Sequence, residues 1–252
     1  KWEKNLEGRE SMELFYDLHI HSCLSPCGDD DMTPGNIVGM AVVKGLNAIA
    51  VTDHNSCKNC PAVLSLAAQY GITAIPGMEL CTSEEVHVVC LFETLEGAMD
   101  FDRYVHQRIM PVKNQPDIFG KQQIMDENDQ CTGIEPLLLI NAADISFDSV
   151  YDLTKAYGGI MIPAHIDKSS NSLLSNLGFV PPDSRFECFE LRDVTKKEAL
   201  IRDHPYLGQC SMVHNSDAHY LWDISEPQQW IEPETASPHG ILTCLLEMRP
   251  AL

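Results

Sequence analysis

Short apolar runs alternate with helix signals along most of this chain. The runs that predict strands lie at 14–20, 47–53, 72–80, 86–92, 158–166, 185–191 and 210–217. Helical patterns separate several of them, and the first helix has Thr33 as its cap, Pro34 at its first position and Gly45 at its end. Repeated strand–helix units predict a parallel sheet with right-handed crossovers, and a barrel is the simplest architecture of this kind.

Two segments depart from this alternation. Residues 111–133 contain Gly120 and clusters of polar residues, which predict a hairpin or flap inserted into the fold. Residues 1–11, which precede Met12, are either a native extension or a remnant of an expression tag. Since no repeat or low-complexity linker divides the remainder, we expect residues 12–252 to form a single domain.

The composition of the 252-residue chain is that of an ordinary globular protein, with 44% hydrophobic and 21% charged residues. No apolar run reaches the roughly 18–20 residues that span a bilayer, and no signal peptide is visible. We therefore expect a cytoplasmic protein with no membrane partner, whose ten cysteines are free thiols. Cys57 and Cys60 form a CxxC pair, but a zinc ribbon needs a second such pair and the sequence contains none.

The net charge of −20 restricts the possible partners. Binding to a nucleic-acid polymer depends on Lys and Arg side chains that neutralise phosphates, so the charge predicts that a long nucleic acid is an unlikely partner. Small phosphorylated ligands remain compatible, because bound divalent ions would invert the local field while the surface stays acidic.

Side chains that bind metals stand at the ends of the predicted strands, where parallel α/β barrels place their chemistry. A single histidine on an apolar strand is most often a hydrogen-bonded core residue, and neither an HxH nor a DxH pair is specific alone. Together they would put many buried polar groups at one rim, which is costly unless they bind something. The candidates are His19, His21, Asp53, His54, Glu79, His87, His165, Asp217 and His219.

This set of side chains indicates the class of metal. Many imidazoles with few carboxylates suit Zn²⁺, Mn²⁺ or Fe²⁺ better than Ca²⁺ or Mg²⁺. Glu79 is the natural bridge between two such ions. Asp17 and Asp53 each neighbour a candidate histidine, and either could orient an imidazole or be structural.

Six motifs occur in the order "DLHIHS", "AVTDHNS", "GMEL", "VHVVCLF", "PAHIDK" and "NSDAH". Together they resemble the PHP family, the polymerase and histidinol phosphatase domain family, from Asp17 to His219. The resemblance implies a distorted (β/α)7 barrel, similar to a TIM barrel, that holds two or three metal ions at the carboxyl ends of its strands. It also implies phosphoester hydrolysis.

The resemblance assigns ligands to each ion. His19 and His21 would bind the first ion with Glu79 and Asp217. Glu79 would bridge to a second ion held by His87 and His165, and His54 and His219 would bind a third in a trinuclear centre. The family often completes the third site a few residues after the HxH pair, where this chain offers either Cys27 or Asp29.

The expected reaction is hydrolysis of a small phosphorylated substrate, a phosphomonoester or a nucleotide-like molecule. A hydroxide that bridges two ions would attack phosphorus in line, with Glu79 and Asp217 as the catalytic carboxylates that hold those ions. Lys168 and Arg192 are the candidate cations that grip the phosphate. Two alternatives remain open: a metal-dependent amidohydrolase, and a non-catalytic regulatory domain that binds metal.

Overall fold

The computed structural model describes residues 2–4 and 10–248. Its strands are β1 (Trp2–Lys4), β2 (Glu10–Met12), β3 (Leu14–Ile20), β4 (Ala48–Val51), β5 (Thr73–Cys81), β6 (His87–Phe92), β7 (Gln123–Met125), β8 (Cys131–Ile134), β9 (Gly159–Pro163), β10 (Cys188–Glu190), β11 (Ser211–Val213) and β12 (Trp230–Ile231). Its α-helices are α1 (Pro34–Lys44), α2 (Cys60–Gln69), α3 (Leu95–His106), α4 (Pro116–Phe119), α5 (Phe147–Ala156), α6 (Leu173–Leu177), α7 (Lys197–Asp203) and α8 (Pro238–Glu247). Three 3-10 turns lie at Val194–Lys196, Pro205–Gln209 and Leu221–Asp223.

The main sheet has six strands in the order β12-β3-β4-β5-β6-β9. Strands β3, β4 and β5 are parallel, but β6 is antiparallel to both of its neighbours. The prediction of an all-parallel sheet is therefore wrong for β6. The reason is the short connection from Thr82 to Val86, which closes with a hydrogen bond from Thr82 N to Val86 O and is too short for a parallel crossover.

The sheet is curled, so that its later strands return to β3. Strands β10 and β11 form a parallel pair next to β9, joined to it where Ile166 N donates to Glu190 O at 3.0 Å. Beyond β11, Ala218 forms a bridge with Ile20, and its carbonyl accepts from His21 N at 2.9 Å. The carboxyl ends of the parallel strands thus face one rim of an α/β fold.

The strand period of two divides the apolar residues between two layers. Ala48 and Ala50 of β4 face the inside of the curl, in a cluster that also contains Leu18 of β3 and Ile75 of β5. Their neighbours on β4 face outward, where they pack against α1 and α2. Both faces of β4 are therefore buried, which explains its continuous apolar run.

The segment 111–133 forms α4 and begins a hairpin of β7 and β8 that packs over the start of α1. The carboxylate of Asp129 accepts hydrogen bonds from Gly35 N at 2.8 Å and from the Thr33 hydroxyl at 2.7 Å. Gln123 N donates to Cys23 O at 2.9 Å, which ties the hairpin to the loop after β3. The expected flap is therefore attached to the rim rather than extended into solvent.

Strands β1 and β2 pair antiparallel, while residue 1 and residues 5–9 of the predicted N-terminal extension lie outside the described residues. Among the described residues, no helix is both long and apolar enough to cross a membrane. All ten cysteines are free thiols.

Asp17 holds the last rim loop against β3. Its buried carboxylate accepts from Ser216 N at 3.1 Å and from Ser225 N at 2.9 Å, on either side of the segment that carries Asp217 and His219. Of the two roles considered for Asp17, orienting an imidazole or a structural role, these contacts favour the structural one. Among the described residues its carboxylate accepts from backbone amides and from no imidazole ring.

We predict that Asp17→Ala lowers the free energy of unfolding by about 1–3 kcal/mol, because buried amide donors lose their acceptor. Urea denaturation followed by circular dichroism measures this. The control is Asp31→Ala, which removes an exposed carboxylate and should change stability by less than about 0.5 kcal/mol. Equal stability of the two variants would contradict the role given to Asp17.

Candidate metal centre

Eight of the predicted ligands converge at the carboxyl rim of the curled sheet. His87 stands at the amino end of its strand, yet it reaches the same rim because β6 runs antiparallel. Asp217 and His219 are partly exposed, and the other ligands are buried. The eight residues are His19, His21, His54, Glu79, His87, His165, Asp217 and His219.

The buried carboxylate of Glu79 lies at the centre of this cluster. Its Oε1 is 2.9 Å from His87 Nδ1 and 3.1 Å from His165 Nε2, and its Oε2 is 2.9 Å from His54 Nδ1. His19 Nε2 and His21 Nε2 each lie 3.3 Å from one of its oxygens. Burial alone would raise the pKa of Glu79, but the surrounding imidazoles hold it well below its usual range.

Asp217 closes the cluster on its open side. Its Oδ1 lies 3.3 Å from His21 Nε2 and 3.6 Å from His19 Nε2. Burial opposes its ionisation, but hydrogen bonding to His21 and the charge of His19 lower its pKa well below the ordinary value. The backbone is strained at two of these residues, because Asp217 has a φ of 54° and His165 a φ of 30°.

The ligand atoms form three overlapping groups, each of which could hold one ion within a span of 4.8 Å. The first matches the predicted set for the first ion, and the second contains Glu79 and His87 with His54 in place of the predicted His165. The third contains His21 beside the predicted His54 and His219. The groups are His19–His21–Glu79–Asp217, His54–Glu79–His87 and His21–His54–His219.

The chemistry of this donor set fits metal ions. His54 Nδ1 and Glu79 Oε2 lie 2.9 Å apart without hydrogen-bond geometry, and neither they nor the buried His165 Nδ1 have another hydrogen-bond partner among the described residues, a costly arrangement without a ligand. His19 Nε2 and His21 Nε2 lie only 3.2 Å apart and face the same carboxylates. Burial lowers the pKa of His54 to about 3 and that of His219 to about 4, so both rings offer neutral donor atoms at physiological pH. Neutral imidazoles and carboxylates suit transition ions such as Zn²⁺, Mn²⁺ and Fe²⁺.

Glu190 orients His19, and the sequence analysis missed it. Both of its oxygens lie 3.1 Å from His19 Nδ1, and the carboxylate also accepts from Asn215 Nδ2 at 2.7 Å. Holding the proton on Nδ1 leaves Nε2 free to face the cluster. The signal was present, since Glu190 is a carboxylate at the carboxyl end of an apolar strand, as Glu79 is.

Asp53 acts on a ligand through an intervening hydroxyl. His21 Nδ1 donates to Ser25 Oγ at 2.9 Å, and Ser25 Oγ donates to Asp53 Oδ1 at 2.7 Å. Ser22 also donates to Asp53 from its backbone and its side chain, each at 2.7 Å. Asp53 therefore fixes the orientation of His21 indirectly.

Neither candidate for completing the third group joins it in the structure. Cys27 is exposed, has a φ of 68°, and its backbone is held by Phe119 O. The carboxylate of Asp29 accepts from Asp31 N at 2.9 Å within its own loop, and Asp29 N donates to His219 O at 3.0 Å. The ligand group of His21, His54 and His219 contains neither residue, and completion of this group by Cys27 or Asp29 stays a prediction.

The two predicted phosphate-binding cations occupy different environments. Lys168 Nζ lies 2.9 Å from Asp217 Oδ2, with 30% of the side chain exposed at the mouth of the cluster. Arg192 is exposed, and within the part of the chain that the structure describes its guanidinium has no ion pair. Its backbone N–H donates to Asp167 Oδ1 at 2.8 Å.

Comparison with known proteins agrees with these observations. The family model for the PHP domain matches residues 17–164. This chain belongs to the PHP domain family. The predicted family membership is thereby confirmed, although His165, Glu190, Asp217 and His219 all lie beyond the matched segment.

Similar proteins include nucleases. A 5'-3' exoribonuclease of Haemophilus influenzae is 34% identical over 79 residues, which cover 30% of this chain and 28% of that protein. The lesion-specific endonuclease of Pyrococcus furiosus has a similar fold, with a TM-score of 0.64 and 18% identity over 93% of this chain and 56% of that one. Endonuclease Q solved with a 27-mer duplex that carries an abasic lesion gives a TM-score of 0.57 and 19% identity, over 83% and 50% of the chains. The PHP domain described here spans less than half of the length of the curated relatives that it matches.

We predict that Glu79→Ala removes at least two of the metal ions bound by this PHP domain, because two of the three ligand groups share this carboxylate. Elemental analysis after reloading with Mn²⁺ or Zn²⁺ gives the stoichiometry. Glu96→Ala removes an exposed carboxylate and serves as the control. An unchanged metal content in Glu79→Ala would exclude Glu79 as a ligand.

A second prediction concerns Glu190. Glu190→Gln should weaken metal binding about 10- to 100-fold while the protein stays folded, because the amide can no longer fix the His19 tautomer as a carboxylate does. Competition titration with a metal-binding dye measures the affinity, and Glu198→Gln on α7 is the matched control. An affinity equal to that of the control would remove Glu190 from the metal centre.

Proposed function

We propose that this PHP domain is a metal-dependent hydrolase of phosphoric esters that cleaves a phosphodiester bond in a nucleic acid. The observation that carries the proposal is the buried Glu79 carboxylate surrounded by imidazoles, with donor atoms that have no other partner. Such a cluster of nitrogen and oxygen ligands is the arrangement on which hydrolysis by bound metal ions depends. This proposal agrees with the enzyme class expected from the sequence, a metal-dependent hydrolase of phosphoric esters, and the relatives support that class.

The proposed metal centre holds two or three transition ions. His19, His21, Glu79 and Asp217 would hold the first, Glu79 with His54, His87 and His165 the second, and His54 with His219 and His21 the third. Bound ions of this kind supply a nucleophile from water at neutral pH and polarise the phosphoryl group. Residues of the chain must fix the orientation of the ligand side chains. Glu190 does so through Nδ1 of His19, and Ser25, held by Asp53, does so through Nδ1 of His21.

The ligand positions also support a distorted (β/α)7 barrel as the complete architecture. Strands β3, β4, β5, β6, β9, β10 and β11 number seven, and each brings a side chain to the same rim either directly or through the loop next to it. The bridge between Ile20 and Ala218 is the contact that would close the barrel.

The relatives count against the expectation of a small phosphorylated substrate with a long nucleic acid unlikely, and they support a nucleic-acid substrate instead. An exoribonuclease is among the similar sequences, and a nuclease solved with duplex DNA is among the similar folds. The net charge of −20 does not exclude a nucleic-acid substrate, because it averages over the whole surface. The scissile phosphate would meet only the rim and its ions. An acidic surface weakens long-range attraction, yet it leaves room for contact with a few nucleotides.

Lys168 is the side chain best placed to bind a substrate phosphate. It lies at the mouth of the cluster, and its ammonium is already held 2.9 Å from Asp217. When Asp217 binds metal, its negative charge is shared with the ion, and the ammonium becomes available to a phosphate oxygen. Arg192 follows the same strand as Glu190, so it would contact a more distant phosphate.

The proposal is tested with protein reloaded with Mn²⁺ or Zn²⁺. The substrates are single-stranded RNA and DNA oligonucleotides, bis(p-nitrophenyl) phosphate, p-nitrophenyl phosphate and p-nitroacetanilide. We expect shortening of an oligonucleotide and hydrolysis of the diester. Hydrolysis of the anilide alone would favour the amidohydrolase alternative, and metal-loaded protein that cleaves nothing would favour a regulatory domain.

We predict that Lys168→Ala lowers kcat/KM for the oligonucleotide about 10-fold or more, because a charge-assisted hydrogen bond to phosphate is lost. Metal content should stay the same, which separates this effect from damage to the ligands. Lys155→Ala on α5 removes an exposed ammonium that contacts Tyr151, and it serves as the control. If Lys168→Ala and Lys155→Ala have equal activity, the phosphate-binding role is wrong.

A further inference from the structure

Both ring nitrogens of the ligand His87 have a partner in the structure. Nδ1 lies 2.9 Å from Glu79 Oε1, and Nε2 lies 3.0 Å from the side-chain nitrogen, Nδ2, of Asn171. An amide nitrogen donates and does not accept, so Nε2 must offer it a lone pair. The proton of the neutral ring is then on Nδ1, where it donates to the carboxylate of Glu79. The contact with Asn171 thus selects one tautomer of His87.

Asn171 also contacts the backbone of His87. His87 N donates to Asn171 O at 3.0 Å, so a single residue holds both the main chain and the ring of this ligand. Asn171 has a φ of 53°, the left-handed conformation that asparagine adopts more readily than most residues. Because His87 is buried and begins β6, these two contacts fix the ring at the point where the strand starts.

The loop that carries Asn171 is itself held in place. The next residue, Ser172, caps α6. From that helix, Asn176 Nδ2 donates to Glu84 O at 3.0 Å and to Glu85 O at 3.1 Å, in the turn between β5 and β6. The amide of Asn171 therefore projects from a fixed support, and a change in its hydrogen bonding is expected to come from rotation of the side chain.

Metal binding needs the opposite tautomer of His87. A histidine ligand binds an ion through the lone pair of one ring nitrogen, and Nδ1 is the nitrogen of His87 that faces Glu79 within the ligand group His54–Glu79–His87. When Nδ1 binds an ion, the proton of the neutral ring is on Nε2. Asn171 Nδ2 would then oppose one donor to another, which is costly because both donors lose a partner.

An asparagine can serve both tautomers, because its amide has a donor end and an acceptor end. Rotation of the terminal side-chain bond by about 180° exchanges Nδ2 for Oδ1, which accepts from an Nε2–H group. Glu190, which contacts His19 Nδ1, offers no such choice, because an ionised carboxylate only accepts. The contact on His19 therefore fixes one tautomer, whereas the contact on His87 can support either.

We propose that Asn171 is a positioning residue for His87, and that its amide turns from donor to acceptor when an ion binds to Nδ1 of that ring. This inference rests on the metal centre of the proposed function and on no property of the substrate. Loading of the group His54–Glu79–His87 then requires a rearrangement of one side chain that the contact between Glu190 and His19 does not require.

Nitrogen-15 NMR of the histidine rings tests the tautomers directly, because protonated and unprotonated ring nitrogens differ in chemical shift. The signals of His87 are assigned by their loss in His87→Gln. In protein treated with a chelator we expect Nε2 of His87 to be unprotonated, and after loading with Zn²⁺ we expect it to be protonated. The same protonation of Nε2 in both states would overturn the proposal.

Two variants separate the amide from the backbone. Asn171→Gly removes the amide and suits the positive φ, so the loop should stay unstrained, which circular dichroism checks. It should weaken the binding of one Zn²⁺ about 10- to 100-fold and leave the other ions unchanged. Asn171→Asp keeps an acceptor for Nε2–H. It should bind that ion at least as tightly as the unmodified protein, with Nε2 of His87 protonated even after treatment with chelator.

The matched control for affinity is Asn128→Gly, which removes an exposed amide between β7 and β8. Competition titration with a metal-binding dye compares the variants. Equal affinity in Asn171→Gly and Asn128→Gly would contradict the positioning role. Equal weakening in Asn171→Gly and Asn171→Asp would also contradict it, because an acceptor at this position would then make no difference.

The proposed function and the role of Asn171 can fail separately. Protein that binds Zn²⁺ and shows the expected change at His87, but cleaves no phosphodiester, contradicts the proposed function and supports the role of Asn171. Protein that cleaves a phosphodiester while the His87 spectrum stays the same on loading contradicts the role of Asn171 alone.

Discussion

The buried carboxylate of Glu79 is the interaction on which the rim of this fold depends. Five imidazoles from four separate strand ends lie within 3.3 Å of its two oxygens. Burial alone would destabilise the carboxylate, but the imidazoles offset this cost, and the carboxylate in turn favours protonation of His19 and His21 by raising the pKa of each. The carboxylate and the rings therefore stabilise each other, and a cation bound among them would add to this balance.

Hydrogen bonds on the outer nitrogens of two imidazoles fix how His19 and His21 face the cluster. Glu190 and Ser25 each take the outer nitrogen of an imidazole, so that the inner nitrogens of His19 and His21 face Glu79 and Asp217. Glu190 lies on β10 and Ser25 in the loop after β3. The orientation of the two imidazoles therefore depends on the relative positions of distant parts of the sheet. At His165 and Asp217 the backbone itself is held in a strained conformation with a positive φ angle.

Much of this arrangement could be predicted from sequence, because apolar strands that end in ligand residues are a local pattern. The bounds of β3 and the cap of α1 at Thr33 follow directly from neighbouring residues. The antiparallel direction of β6 was missed, since an apolar run carries no information about direction and only the short turn before it does. Glu190 was missed because it contacts His19, which is 171 positions away in the chain. Whether Cys27 or Asp29 completes the third group stays a prediction, because a count of residues does not reveal which way a turn directs its side chains.

The placement of β3 between β4 and β12 has a consequence for biosynthesis. His19 and His21 leave the ribosome early, but the carboxylate of Asp217 and the strand β12 that covers the free edge of β3 are translated about 200 residues later. During that interval β3 has an open edge and its histidines lack the other ligands. The ligand set can therefore be complete only after nearly all of the domain has been translated, and until then the edge of β3 that β12 covers is open to pairing with other strands.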